Sequence, residues 1–168
     1  MISIITPVYN EEENINCFYD AVTAVMKQVG MDYELIYVND GSRDGTEKEI
    51  SRLAAADPHV RAISLARNFG HQIALTCGMD LSSGDAIITM DGDMQHPPAL
   101  IPALIARWQE GYDIVQTVRE TTENASLFKR VTSAAYYKLM NAISTTPVVP
   151  GGSDFRLMDR KAISVFRR

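Results

Sequence analysis

Residues 86–95 read Ala86-Ile87-Ile88-Thr89-Met90-Asp91-Gly92-Asp93-Met94-Gln95. Five apolar or β-branched residues in succession suit a strand covered on both faces, and the change to Asp-Gly-Asp marks where the chain leaves the sheet. Four more runs of this kind occur: Ile2 to Val8, Tyr33 to Val38, Val60 to Leu65 and Asp113 to Val118. Between the first two, Ile15, Phe18, Tyr19, Val22, Val25, Met26 and Val29 recur at helical spacing until Gly30 supplies a stop. Further helices are expected over Gly45–Ala56, His71–Leu81, Pro97–Glu110 and Leu127–Ile143. The alternation predicts a three-layer α/β domain with a mostly parallel central sheet.

Strand spacings of roughly 25 to 35 residues fit right-handed crossovers, which bring the carboxyl ends of the strands to one edge. Ligands of open α/β sheets bind at that edge. The segments expected there are polar: Pro7-Val8-Tyr9-Asn10-Glu11, Asn39-Asp40-Gly41-Ser42, Arg67-Asn68 and Asp91 to Gln95. Thr145 to Ser153, with two prolines and two glycines, is the one long breaker-rich loop.

Composition narrows the class. With 168 residues, 46% hydrophobic and 22% charged, the chain suits one soluble domain, and no stretch approaches the roughly 18 to 20 apolar residues of a membrane span. The N-terminus has no basic region and no small-residue cleavage site, so a cytosolic address is expected. Cys17 and Cys77, far apart in apolar helical surroundings, are expected to be buried thiols rather than a disulfide or metal pair. The formal charge of -5 is uneven: 7 basic and 17 acidic residues precede Arg119, and 9 basic and 4 acidic follow from it. An acidic front half excludes a general nucleic-acid surface. The basic tail suits one anion or an anionic membrane face, or else solvated helix faces.

Common nucleotide motifs are missing. The first strand is followed by Pro7-Val8-Tyr9-Asn10-Glu11 and not by G-x-G-x-x-G, which disfavours a dinucleotide enzyme, and no G-x-x-x-x-G-K-[ST] occurs. An aspartyl-phosphate phosphatase would carry its acidic pair after the first strand, whereas Asp91 and Asp93 follow the fourth. On an extended chain Asp91, Asp93 and Gln95 would point to one side, presenting oxygen donors suited to Mg²⁺ or Mn²⁺. D-x-D alone is a short signal, equally at home in a solvated turn. Gln95, Pro97, Pro98, the preceding strand and Asp40 on the same edge favour a site.

Five ordered runs carry a family resemblance: Pro7 to Ile15, Val38 to Thr46, Arg67 to His71, Asp91 to Pro98 and Gly152 to Leu157. Together they resemble the family-2 inverting glycosyltransferases of the GT-A fold, most closely the polyprenyl-phosphate branch with dolichyl-phosphate mannosyltransferases and bactoprenol glucosyltransferases. The resemblance implies a Rossmann-like GT-A domain over residues 1–168. It implies a nucleoside-diphosphate sugar donor, a uridine one, held by Pro7, Tyr9, Glu11, Asp40 and Asp91. Asp91, Asp93 and Gln95 would bind the metal, with Asp93 catalytic. Arg119 and Arg130, or Lys129 beside it, match positions that grip phosphate, and Asp154 matches the candidate base near the acceptor. The expected reaction is inverting hexosyl transfer to a polyisoprenyl phosphate at the cytosolic membrane face.

A lipid phosphate, with its second pKa near about 6, is already nucleophilic, so Asp154 has two open roles: base or orienting group. A saccharide hydroxyl acceptor would require the base. A catalytically silent nucleotide-sugar module is the third reading, because relatives in this branch continue into amphipathic and membrane helices that would hold the lipid, so the chain looks cut short before them. Sugar identity and oligomeric state, a homo-oligomer included, stay open. His71 is expected to open a helix, and neither it nor His96 is expected to be catalytic. Trp108, Tyr136, Tyr137, Met79, Met90 and Met140 are expected in the core.

Overall fold

The computed structural model describes residues 1–118 and 152–166. Arg119, Lys129 and Arg130, the helix expected over Leu127–Ile143, and Tyr136, Tyr137 and Met140 lie outside the described residues. The chain packs as two units, Met1–Val115 with Asp154–Arg168, and Gln116–Ser153. The helices and the cleft described below belong to the first.

The five expected strands are present: β1 (Ile2–Val8), β2 (Tyr33–Asn39), β3 (Val60–Ser64), β4 (Ala86–Thr89) and β5 (Ile114–Val118). A sixth, β6 (Gly152–Asp159), joins them in the order β3-β2-β1-β4-β6-β5. β1 pairs in parallel with β2 and β4, and β2 with β3, while β6 runs antiparallel to β4, Thr89 facing Arg156 and Ala86 facing Asp159. The sheet is therefore mostly parallel, as expected, with one antiparallel insertion that the breaker-rich loop before it concealed.

Consecutive residues of the central strands point to opposite faces. Ile4, Tyr37, Ile88 and Leu157 pack with α1 (Ile15–Val29), α2 (Thr46–Ala56) and α4 (Ile101–Gln109). Ile5, Ile36, Val38, Ile87 and Met158 pack on the other side with α3 (His71–Leu81) and α5 (Arg160–Phe166). Three layers result. Burial on both faces does not extend to β3 and β5: at the two edges of the sheet, their residues alternate between half-buried and exposed beyond Val60.

The helices follow their sequence signals. α1 buries Ile15, Phe18, Val22 and Met26, and the Gly30 N–H caps it on the Met26 carbonyl at 3.0 Å. The helix expected over Pro97–Glu110 divides into a 3-10 turn, Pro98–Leu100, and α4, whose Pro102 sits in the first turn, where the missing N–H has no partner to lose. Trp108 packs against the core while its indole N–H donates to Asp159 at 2.8 Å. Met90 is buried and Met79 borders the second cluster, as expected.

The cysteine expectation needs correction. Cys17 is exposed, because it falls off the stripe formed by Ile15, Phe18, Val22 and Met26. Cys77 is half-buried, and desolvation, followed by the nearby Asp80, pushes its thiol up. Among the described residues no helix is long and apolar enough to cross a membrane.

Candidate active site

Four loops leave the carboxyl edge of β1, β2, β3 and β4, and the first three are tied to one another by polar side chains. Asn10 donates its N–H to Ser42 Oγ at 3.0 Å and accepts the Arg43 N–H on Oδ1 at 2.9 Å. The Glu11 N–H donates to Thr46 Oγ1 at 2.8 Å, and Glu12 accepts the Gly45 N–H. Burial opposes ionisation of Asp44, but hydrogen bonds from the Thr46 hydroxyl and N–H and from the Glu12 N–H outweigh it and hold this carboxyl below its ordinary value. The first two loops thus form one rigid rim.

The third loop is held by Asp40. Its carboxylate is 97% buried with its residue, which is 3% exposed, and accepts the N–H groups of Phe69 at 2.7 Å and Gly70 at 2.9 Å, one on each oxygen. An ionised carboxylate has about four lone-pair sites, so two remain for a ligand. Gly41 makes the close approach possible. At φ +70° it takes a left-handed conformation, and a Cβ there would lie 2.5 Å from the Arg67 carbonyl carbon and 2.6 Å from the Asn68 nitrogen. Gly41→Ala is expected to displace the Arg67–Gly70 segment and to destabilise the fold by about 2 kcal/mol or more, measured by urea unfolding, with weakened nucleotide binding.

These loops enclose a cleft of about 530 Å³. Pro7, Tyr9 and Glu11 line it from the first loop, Asp40 from the second, Asn68, Gly70 and His71 from the third, and Asp91 and Asp93 from the fourth. Every donor-site residue expected from the sequence therefore meets in one place. Gly92, between the two aspartates, lies against β1, where a Cβ would come within 3.0 Å of Val8 and 3.2 Å of Thr6.

The fourth loop departs from expectation in its shape. Asp91 to Gln95 is a turn and not an extended chain: Met94 has φ +63°, and the Gln95 N–H folds back to Asp93 Oδ1 at 2.9 Å. That reversal breaks the two-residue alternation, and Gln95 is exposed and absent from the cleft wall. Two carboxylates, Asp91 and Asp93, remain there. Among the described residues no group of three His, Cys, Asp or Glu side chains is arranged to hold a metal. Two carboxylates suit Mg²⁺ or Mn²⁺, which complete their shell with water and phosphate oxygens, better than a metal needing an all-protein cage.

Asp91 and Asp154 lie near each other. His71 Nε2 is 3.6 Å from Asp91 Oδ1 and 3.6 Å from Asp154 Oδ2, and the Arg156 guanidinium is hydrogen-bonded to the other oxygen of Asp154. Thr89 Oγ1 donates to the Asp154 carbonyl at 2.6 Å, fixing the backbone of β6 here. His96 is buried under the turn, where its Nδ1 accepts the Asp91 N–H at 3.2 Å and its ring packs on Phe155. His71 opens α3 as expected but also reaches the cleft, which sequence reasoning missed. Its position at the end of the run Arg67-Asn68-Phe69-Gly70-His71, on the binding edge, was the available signal. Asn68 likewise had an expected place and no assigned role.

Comparison with known proteins places this geometry in a family. The family model described as "Glycosyl transferase family 2" matches residues 3–166. The chain belongs to glycosyl transferase family 2. Its relatives in that family include the bactoprenol glucosyl transferase of Shigella phage SfV, 43% identical over 162 residues that cover 96% of this chain and 53% of the relative. The Bacillus subtilis glycosyltransferase YkcC is 43% identical over 166 residues, covering 99% of this chain and 51% of its own length. The chain spans about half the length of the curated relatives it matches.

Solved structures of glycosyl-transferring enzymes share the fold. The mannosyltransferase PcManGT from Pyrobaculum calidifontis, in complex with GDP-Man and Mn²⁺, superposes with a TM-score of 0.65 at 21% identity, over 98% of this chain and 46% of that one. Glucosyl-3-phosphoglycerate synthase from Mycobacterium tuberculosis, in complex with Mn²⁺, UDP and glucosyl-3-phosphoglycerate, gives 0.63 at 24% identity, over 96% and 57%. The six-stranded, mostly parallel sheet is thus that of GT-A glycosyltransferases.

Proposed function

We propose that the chain is the donor-binding domain of an inverting glycosyltransferase that moves a hexose from a uridine diphosphate sugar to a polyisoprenyl phosphate at the cytosolic membrane face. The observation that carries this reading is the meeting of Asp40, Asp91 and Asp93 with Pro7, Tyr9 and Glu11 in one cleft at the carboxyl edge of the sheet. The acceptor class is supported by 43% identity to a bactoprenol glucosyl transferase, and the metal by Mn²⁺ in structures of the same fold.

In this reading Pro7, Tyr9 and Glu11 bracket the base and ribose, and Asp40 offers its remaining lone pairs to them. Asp91 and Asp93 hold Mg²⁺ or Mn²⁺ beside the diphosphate. The cation supplies Lewis-acid stabilisation of the departing nucleoside diphosphate. Asp154 faces the acceptor. With one oxygen on Arg156 and the other toward His71, its carboxylate is fixed in direction, which favours orienting an already ionised phosphate over collecting a proton. Arg119 and Arg130 would grip that phosphate. The remaining half of a full-length protein would hold the lipid at the membrane.

The test is a transfer assay on the full-length protein with UDP-glucose, other uridine and guanosine diphosphate sugars, polyprenyl phosphate and Mn²⁺. A lipid-linked hexose with inverted anomeric configuration is expected. Tight nucleotide binding without product would leave a silent binding module instead. Asp154→Asn separates the acceptor classes: substantial transfer to lipid phosphate is expected to persist, whereas a saccharide-hydroxyl enzyme would lose about 10²- to 10⁴-fold.

A further inference from the structure

His71 lines the cleft at the start of α3, and its imidazole also reaches Asp154, which is not among the cleft residues. Its Nε2 lies equally far, 3.6 Å, from a carboxylate oxygen of Asp91 and one of Asp154. Asp91 belongs to the turn after β4, and Asp154 to the antiparallel strand β6 beside it. One imidazole therefore stands between the donor side and the acceptor side of the site.

The other oxygens of both carboxylates face different groups. Asp154 Oδ1 receives Arg156. Asp91 Oδ2 is 3.5 Å from His96 Nδ1, but that nitrogen already accepts the Asp91 N–H at 3.2 Å and so has no proton to donate to the carboxylate. Both carboxylates have one oxygen toward the same imidazole, whose Nε2 can donate a hydrogen to either. The hydrogen bond from Thr89 fixes only the Asp154 backbone. Among the described residues, the groups that face its side chain are Arg156 and His71.

We propose that His71 is a positioning residue, which holds the Asp154 carboxylate in register with the Asp91 turn and contributes little to nucleotide affinity. The inference rests on the reading of Asp154 as the acceptor-side group. A misplacement of about 1 Å at a reacting centre can lower a rate about 100-fold, so the effect belongs in kcat.

Two measurements on the full-length protein test it. In the first, His71→Ala is expected to lower kcat about three- to tenfold, no further than Asp154→Asn does, while the Kd for UDP with Mn²⁺ stays within about threefold. His71→Gln, whose amide nitrogen extends toward the place of Nε2, is expected to recover most of the loss. In an Asp154→Asn background, His71→Ala is expected to change kcat less than about twofold, since removing a group that acts through Asp154 costs nothing once Asp154 is altered. Independent, multiplicative losses, or a collapse of UDP affinity in His71→Ala, would overturn the proposal.

The second measurement needs no turnover. In nitrogen-15 spectra, the His71 Nε2 resonance is expected to move in both Asp154→Asn and Asp91→Asn, with the His59 resonance as an unmoved control. An unchanged His71 signal in Asp154→Asn would overturn the proposal as well. If the wild-type protein transfers no sugar, the functional reading falls, while the spectra still decide whether His71 joins the two carboxylates.

Discussion

Asp93→Asn is expected to lower hexosyl transfer about a thousandfold, or ~4 kcal/mol of transition-state stabilisation, without loss of thermal stability. The substitution keeps the shape of the side chain and the Oδ1 acceptor for the Gln95 N–H, so the turn after β4 stays folded. Only the charge goes. In the proposed reading negative charge would grow on the diphosphate oxygens as the leaving group departs, a bound cation would stabilise it, and the loss of one carboxylate would leave that cation weakly held. The effect should appear in kcat/KM for the donor and as the disappearance of the metal-dependent part of UDP binding. Transfer within tenfold of wild type would mean that Asp93 does not hold the metal.

Phe18→Ala is expected to destabilise the fold by about 4 kcal/mol, measured as a fall in the urea midpoint with m unchanged. Phe18 is fully buried on α1, and its ring meets that of Tyr37 on β2 edge to face, with centroids 6.0 Å apart and planes at 67°. Tyr37 in turn donates its hydroxyl to the Ile15 carbonyl at 3.2 Å, and burial pushes its phenol far above the ordinary value. Truncating Phe18 removes apolar burial, opens a cavity between helix and sheet and breaks an aromatic pair worth about 0.5–1.5 kcal/mol. Against a typical domain stability of about 5–15 kcal/mol, this is a large fraction. A cost under about 1 kcal/mol would show that the site collapses around the missing ring.

The central strands were legible because burial on both faces demands continuous apolar runs. Ile4 and Ile5 enter different clusters, as do Leu35 and Ile36, and Ile87 and Ile88. Edge strands obey a weaker rule, which is why β3 and β5 proved half-covered. β6 was less legible: its alternation of Ser153, Phe155 and Leu157 against Asp154 and Arg156 lies directly behind glycines and prolines, and it pairs against the direction of its neighbour. Cys17 was misjudged because an apolar neighbourhood in sequence does not fix which side of a helix a residue occupies.

The site shows the same division. Topology alone predicts that residues following parallel strands converge, and Tyr9, Asp40, Asp91 and Asp93 do. Loop conformation cannot be read this way. A left-handed Met94 turned Gln95 out of the wall, and Asp40 proved to be a brace for the Phe69 and Gly70 N–H groups as well as a cleft residue. His71 obeys its helical pattern in every respect, so nothing periodic distinguished its reach into the cleft. Its significance arises from Asp154, 83 positions away in the sequence but 3.6 Å away in the fold.

The most direct measurement of the central claim is anomalous scattering from crystals grown with UDP and Mn²⁺. A single manganese peak in contact with Asp91 and Asp93 and with the diphosphate, the uracil lying between Pro7 and Asp40, is the predicted result. Nucleotide bound elsewhere, or manganese remote from both aspartates, would contradict it.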